Sequence, residues 1–180
     1  MTRAALLASL AALGVAGAAS TTSYYPYTAG KRWAYSNGEV QVVGAARTVR
    51  GLPVTPVAHQ VGGKTVTEDL LEVRADGVYL RGILAGGNVN AWYNPPLLVY
   101  PSGPLTPGTR WESASGRVRL AGRVMGQQAL STAGGRYNTL VIRTDLTTGA
   151  GTTTQYQYFV PGLGTVRYAT ADGSSIDLTR

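Results

Sequence analysis

The chain has 180 residues, 24 of them Gly and 11 Tyr, with a single His, no Cys and a formal net charge of +7. Without Cys there is no disulfide framework and no thiol nucleophile, and one His is too few for the multi-imidazole sets that zinc and copper sites favour. The basic balance points to an anionic partner in the cell envelope, an envelope protein or polymer, rather than to nucleic acid.

The N-terminus has the layout of a secretory signal peptide: Arg3, an apolar stretch from Ala4 to Ala16, then small residues through Ala19. We expect cleavage after Ala18 or Ala19, giving a leader over 1–19 and a single domain over 20–180. No later segment reaches the roughly 20 apolar residues of a membrane-spanning helix. The rest is dense in Gly, Thr, Val and Tyr, without helical periodicity, so an all-β fold is predicted.

Taken in order, Glu39 to Val43 alternates as a strand, and Val57 to Val61 carries His59 on the face opposite Ala58 and Gln60. The acidic cluster places Glu68 and Glu72 on one strand face and Asp69 on the other. It lacks the spacing of a calcium loop and reads as a solvated face. Asn90 to Pro96 sets Trp92 and Tyr93 beside prolines, and Asn94 to Pro107 reads as a crossover loop. The segment from Arg117 to Val124 is the clearest strand, with Val118, Leu120 and Val124 on the core face and Arg117, Arg119 and Arg123 on the wet face. Thr139 to Thr144, Gln155 to Val160 and Ile176 to Leu178 follow, the second with Tyr156, Tyr158 and Val160 together. Turns fit at Asn37-Gly38, Gly62-Gly63, Asp76-Gly77, Ser115-Gly116, Gly134-Gly135 and Asp172-Gly173.

An internal repeat organises these strands. Tyr27 to Trp33 matches Leu105 to Trp111, and Asn37 to Gly44 aligns without a gap on Ser115 to Gly122. Half-repeats of about 24–94 and 102–180 are predicted to complete one antiparallel sheet domain, curved into a sandwich or half-barrel, with Trp33 and Trp111 in equivalent buried positions. On this alignment Glu39 and Gln41 are the counterparts of Arg117 and Arg119.

The opening Tyr25-Pro26-Tyr27-Thr28-Ala29-Gly30-Lys31-Arg32-Trp33-Ala34-Tyr35 resembles the Tyr-Pro-x-x-x-Gly-x-x-Trp-x-Tyr start of a loose group of uncharacterised exported bacterial β proteins. Ala133 to Leu140 and Phe159 to Val166 look like that group's Ala-Gly-x-Tyr/Phe-x-x-Leu and Pro-Gly-x-Gly-x-Val segments. The resemblance implies a curved antiparallel sheet or half-barrel in the envelope and supplies no catalytic residue.

The site readings follow from what is scarce. His59 has no nucleophile elbow to serve, and Gly149-Ala150-Gly151 has neither the Lys nor the helix of a phosphate cradle. No catalytic residue and no cofactor are therefore expected. The function read from the residues is non-enzymatic docking onto an anionic envelope surface, polymer or assembly, with Arg117, Arg119 and Arg123 as one candidate surface and Trp92 and Tyr93 as the other. Two alternatives stay open. One is a copper-binding redox enzyme of the superoxide dismutase kind on a β-sandwich, with atypical ligands such as His59 and Met125; the other is a lipid or pigment carrier with an apolar cavity lined by Val118, Leu120, Tyr156 and Tyr158.

Overall fold

The computed structural model describes residues 21–180, so the expected leader lies outside the described residues. The chain is almost entirely β. After one helical turn, α1 (Thr21–Tyr24), come β1 (Arg32–Ala34), β2 (Glu39–Val43), β3 (Arg47–Val49), β4 (Leu52–Val61), β5 (Lys64–Arg74), β6 (Gly77–Ala85) and β7 (Asn88–Pro101). The second half supplies β8 (Arg110–Ser115), β9 (Val118–Thr132), β10 (Gly135–Thr148), β11 (Gly151–Val160), β12 (Gly164–Thr170) and β13 (Ser175–Asp177).

Each half makes its own antiparallel sheet. The first runs β1-β2-β4-β5-β6-β7, with β3 pairing beside β4, and the second runs β8 to β13 as a meander in chain order. The sheets face each other across one core that draws Trp33, Val43 and Leu97 from the first half and Trp111, Val124 and Ile142 from the second. Each such side chain contributes roughly 1.5–3 kcal/mol when fully buried. They do not close into a barrel. At one seam the C-terminal segment pairs with β1: the Ala34 amide donates to Arg180 O at 3.0 Å, and the Thr179 amide to Ala34 O at 2.8 Å. At the other, the Leu98 amide of β7 donates to the Ser113 side-chain hydroxyl of β8 at 2.8 Å rather than to a strand carbonyl.

Trp33 and Trp111 are both buried in the shared core, as the repeat predicts. Gly30 and Gly108 precede them with φ of 86° and 90°, in the left-handed region that glycine enters at no steric cost. The ungapped alignment beyond the Trp residues needs correction. Gly30 donates to Val43 O while Gly108 donates to Val124 O, so Val43 corresponds to Val124, three residues further along than the alignment places it. The first hairpin turns through 36–38 and the second through Gly116-Arg117, which leaves the two registers an odd number of residues apart. An odd shift exchanges the faces of a strand. Gln41 and Val43 are thus the buried residues of β2, while Val40 and Val42 are only half-buried.

Two further expectations change. The crossover predicted from Asn94 to Pro107 is strand as far as Pro101, so Trp92 and Tyr93 belong to β7 and not to a loop. In β11 it is Gln157 and Phe159 that are buried, while Tyr156 and Tyr158 stay half-exposed on the other face. The predicted carrier lining of Tyr156 and Tyr158 is therefore reversed. A register shift between Tyr158 and Phe159 marks the bulge where β11 bends.

The Trp111 ring lies directly on Gly122, where an added Cβ would sit 2.1 Å from Trp111 Cε2. Gly126, in the same strand, has open space around it. Gly122→Ala should therefore destabilise the fold by about 1–3 kcal/mol, as forced overpacking does, while Gly126→Ala should stay within about 0.5 kcal/mol. Chemical denaturation of the two variants checks this; equal midpoints would remove the contact from the stability argument.

Candidate functional site

The sheets do not fill the space between them. A cavity of about 530 Å³ remains, within the size range of small-molecule sites. Its inner wall is apolar, with Val57, Leu71 and Leu120 all nearly inaccessible to solvent. Tyr27, Tyr100 and Tyr168 line it as well, and Gln41, Gln155 and Gln157 add amides. One end of the sandwich is stopped by residues 21–27. Tyr25 is wholly buried, stacks on Tyr100 at 5.0 Å, contacts Phe159 at 5.5 Å and donates its hydroxyl to Pro101 O. Tyr24 takes the Leu105 amide on its own hydroxyl.

The charged part of the cavity is built on the first sheet. His59 stands on β4 between β2 and β5, which puts Glu39 on one side and Asp69 on the other. Its Nδ1 meets Glu39 Oε1 at 2.8 Å and its Nε2 meets Asp69 Oδ2 at 3.2 Å. Gln41 Nε2 also donates to Glu39 Oε1, at 3.0 Å. Solvent reaches this group, with side-chain exposures of 19% for Glu39, 25% for His59 and 36% for Asp69.

Burial by itself would push the His59 pKa down. Hydrogen bonding to Asp69 and its charge, then the same from Glu39, outweigh burial and raise it from 6.5 to about 9. Glu39 shows the converse: burial raises its pKa, but bonds from Gln41 and His59 and the imidazolium charge hold it below the usual carboxylate range. At neutral pH the group is an imidazolium between two carboxylates.

The two other acids of the predicted cluster face away, as the alternation requires. Glu68 pairs with Arg47, and Glu72 with both Arg74 and Arg81. Arg81 is buried and also donates to Tyr93 O at 2.8 Å, which ties β6 to β7.

The sequence-predicted surfaces separate. Arg119 and Arg123 are exposed on the outer face of β9, and Arg117 is exposed in the turn before it. Arg123 stands opposite Arg110 of β8 and Arg143 of β10, so three guanidinium side chains share one row. Arg143 is paired with Asp145 at 3.0 Å. Trp92 and Tyr93 go to opposite faces. Trp92 packs over Val54, Leu70 and Leu84 on the outside of the first sheet, whereas Tyr93 joins the main core.

His59 and Met125 are not brought together. His59 lines the interior, while Met125 is 45% exposed and lines a groove on the outside of the second sheet with Tyr156 and Tyr158. Both ring nitrogens of His59 are engaged by carboxylates, which leaves no lone pair for a metal. Among the described residues no group of three or more His, Asp or Glu side chains is placed to hold a metal ion. Sequence reasoning missed the partnership of His59 with Glu39 and Asp69. Its one accessible signal was the parity of Asp69 against Glu68 and Glu72, which already turned Asp69 to the other face.

Neither a family model nor a curated protein matches the sequence. Among solved structures, a Bacteroides fragilis NCTC 9343 protein, described as exported by inference and as having a YmcC-like fold, is similar over 87% of this chain and 97% of its own, at 15% identity and a TM-score of 0.44. Among the described residues no helix is long and apolar enough to cross a membrane.

The raised His59 pKa makes a prediction with a fixed sign. Its contribution to stability is complete below pH 6.5 and is lost as pH rises through about 9. The unfolding midpoint of the native protein should fall across this window relative to His59→Gln, whose profile should be flatter. NMR titration of the only imidazole should give a midpoint near 9. A midpoint at the ordinary value would mean that the carboxylates do not hold the charge.

Proposed function

We propose that this is an exported, non-enzymatic binding protein that carries an amphipathic small molecule between its two sheets. The supporting observation is the cavity of about 530 Å³, apolar on its inner wall and charged where solvent enters. Such a lining shelters an apolar body and leaves a polar end at the opening. Export is read from the leader-like N-terminus, and the carrier role takes its lining from Leu71, Leu120 and Leu146 in place of Tyr156 and Tyr158.

The outer face of the second sheet favours a second, compatible role, docking on an anionic envelope surface. Like charges placed directly opposite on neighbouring strands repel, and the Arg110, Arg123 and Arg143 row sets three side by side with only Asp145 paired into it. An anionic surface relieves that repulsion. Arg119 extends the patch on the same face, and Arg117 extends it at the turn.

Each role has its own test. Wild-type protein should bind the neutral fluorescent probe N-phenyl-1-naphthylamine saturably, and Leu146→Trp, which fills the cavity, should weaken binding by about tenfold or more. A wild-type protein that leaves the emission unchanged would remove the carrier reading. For docking, Arg119→Glu with Arg123→Glu should abolish co-sedimentation with phosphatidylglycerol vesicles, while stability stays within about 0.5 kcal/mol per site. Wild-type binding should fade as salt rises and the screening length drops from about 10 Å at 0.1 M to about 3 Å at 1 M. Unchanged sedimentation of the double variant would reduce the row to a solvated face.

A further inference from the structure

The charges inside the cavity say which class of amphiphile it accepts. Among the described residues its charged lining consists of Glu39, His59 and Asp69, with no Lys or Arg. Two carboxylates against one imidazolium leave a net charge of −1 where solvent enters. The donors at the charged end are turned to the carboxylates: both His59 nitrogens face them, and Gln41 Nε2 donates to Glu39. The carboxylates exceed the positive charge set against them. His59 meets Asp69 through Oδ2 alone and at 3.2 Å, and Glu39 takes Gln41 and His59 on the single oxygen Oε1, with the Asn37 side chain also bonded to its carboxylate. An anionic head would meet net negative charge with no Lys or Arg in the described lining to balance it, and burying a charge there without a partner is costly. A cationic head meets two carboxylates, and the same lining holds the aromatic rings of Tyr27, Tyr100 and Tyr168, which favour a cation.

Resting on the carrier reading above, we infer that the ligand is a cationic amphiphile, its positive head between Glu39 and Asp69 and its apolar body against Leu71 and Leu120. His59 has a defined part in this. By bridging the carboxylates it prevents their mutual repulsion from splaying β2 and β5 in the empty protein, and it offsets one of the two charges, so the site stays competent without a ligand.

The test is a matched set of dodecyl probes, each below its micelle concentration, titrated calorimetrically into the full mature protein at neutral pH. Dodecyltrimethylammonium, whose charge does not titrate, should bind at least about tenfold more tightly than dodecanoate, with dodecanol between them. Glu39→Gln with Asp69→Asn should erase the preference for the cation over dodecanol and dodecanoate, and a melting curve establishes that the variant is folded. Asp69→Asn alone, which leaves the Glu39 contact to His59, should give a partial loss. Dodecanoate binding as well as the cation would overturn the cationic assignment while the carrier reading stands. If none of the three probes binds, both fall together.

Discussion

The backbone pairing of residues 34–36 with the C-terminal segment ties the edge of the first sheet to the edge of the second, and the interior depends on it. Ala34 and Ser36 bond to residues 177–180 on either side of the Tyr35–Leu178 bridge, and the Tyr35 hydroxyl reaches across to Thr165 O at 2.9 Å. Held at that edge, the two curved sheets can neither slide to cover one another fully nor drift apart. The facing edge between β7 and β8 has no comparable ladder; its Leu98 amide is satisfied by a serine hydroxyl instead. A structure tied firmly at one edge and loosely at the other keeps space inside, where two freely stacked sheets would interdigitate their side chains.

That space needs a stopper at one end, and the aromatic residues after the expected leader provide it. Tyr24 and Tyr25 bury large surfaces against Tyr100 and Phe159 while each hydroxyl finds a partner, which is the condition for burying tyrosine without loss. Gly103 lies so close to Tyr24 that an added Cβ would sit 2.6 Å from the ring, so the loop between the halves is fitted to this stopper. The same tyrosines that seal the end also close one side of the cavity, through Tyr100.

Much of this was legible in the sequence, and the failures have one cause. Strand content, the turn glycines and the burial of both Trp residues follow from local pattern, because each depends on a residue and its near neighbours. The orientation of β2 did not, because a hairpin loop of different length in each half shifts the register by an odd number and exchanges its faces. Glu39 and Gln41, read as counterparts of an outward Arg stripe, therefore point into the cavity. In β11 the rule that apolar residues face inward chose Tyr156 and Tyr158, yet the interior there is polar and takes Gln155 and Gln157. Alternation shows that a strand has two faces; which one is inside depends on what the inside is made of. The His59 cluster was hidden for the same reason, since its members meet only through the registers of β2, β4 and β5.

The two halves share a plan but treat their outer faces differently, and the difference separates their roles. The first sheet covers its own: β3 folds beside β4, Trp92 lies on Gly82 over Val54, Leu70 and Leu84, and Arg50 sits 5.1 Å from the Trp92 ring. Arg81 beneath is locked to Glu72 and to the β7 backbone. That face is spent on stability. Among the described residues the second sheet has no counterpart of β3 in its strand order, and its outer surface keeps Arg119, Arg123, Met125, Tyr156 and Tyr158 accessible or half-accessible. The polarity of the two surfaces is opposite: carboxylates stand on the inner side of the first sheet and guanidinium groups on the outer side of the second. Because a sheet is one residue thick, neighbouring positions along a strand suffice to keep such charges on separate sides, and β9 does so with buried Leu120, Gly122 and Val124 alternating with exposed Arg119, Arg123 and Met125. An anionic surface gathers cations around itself by the same Coulomb attraction that draws the Arg row to it. A protein docked through its second sheet would therefore stand where cationic amphiphiles are most concentrated, with its own negative site turned inward and free to take one.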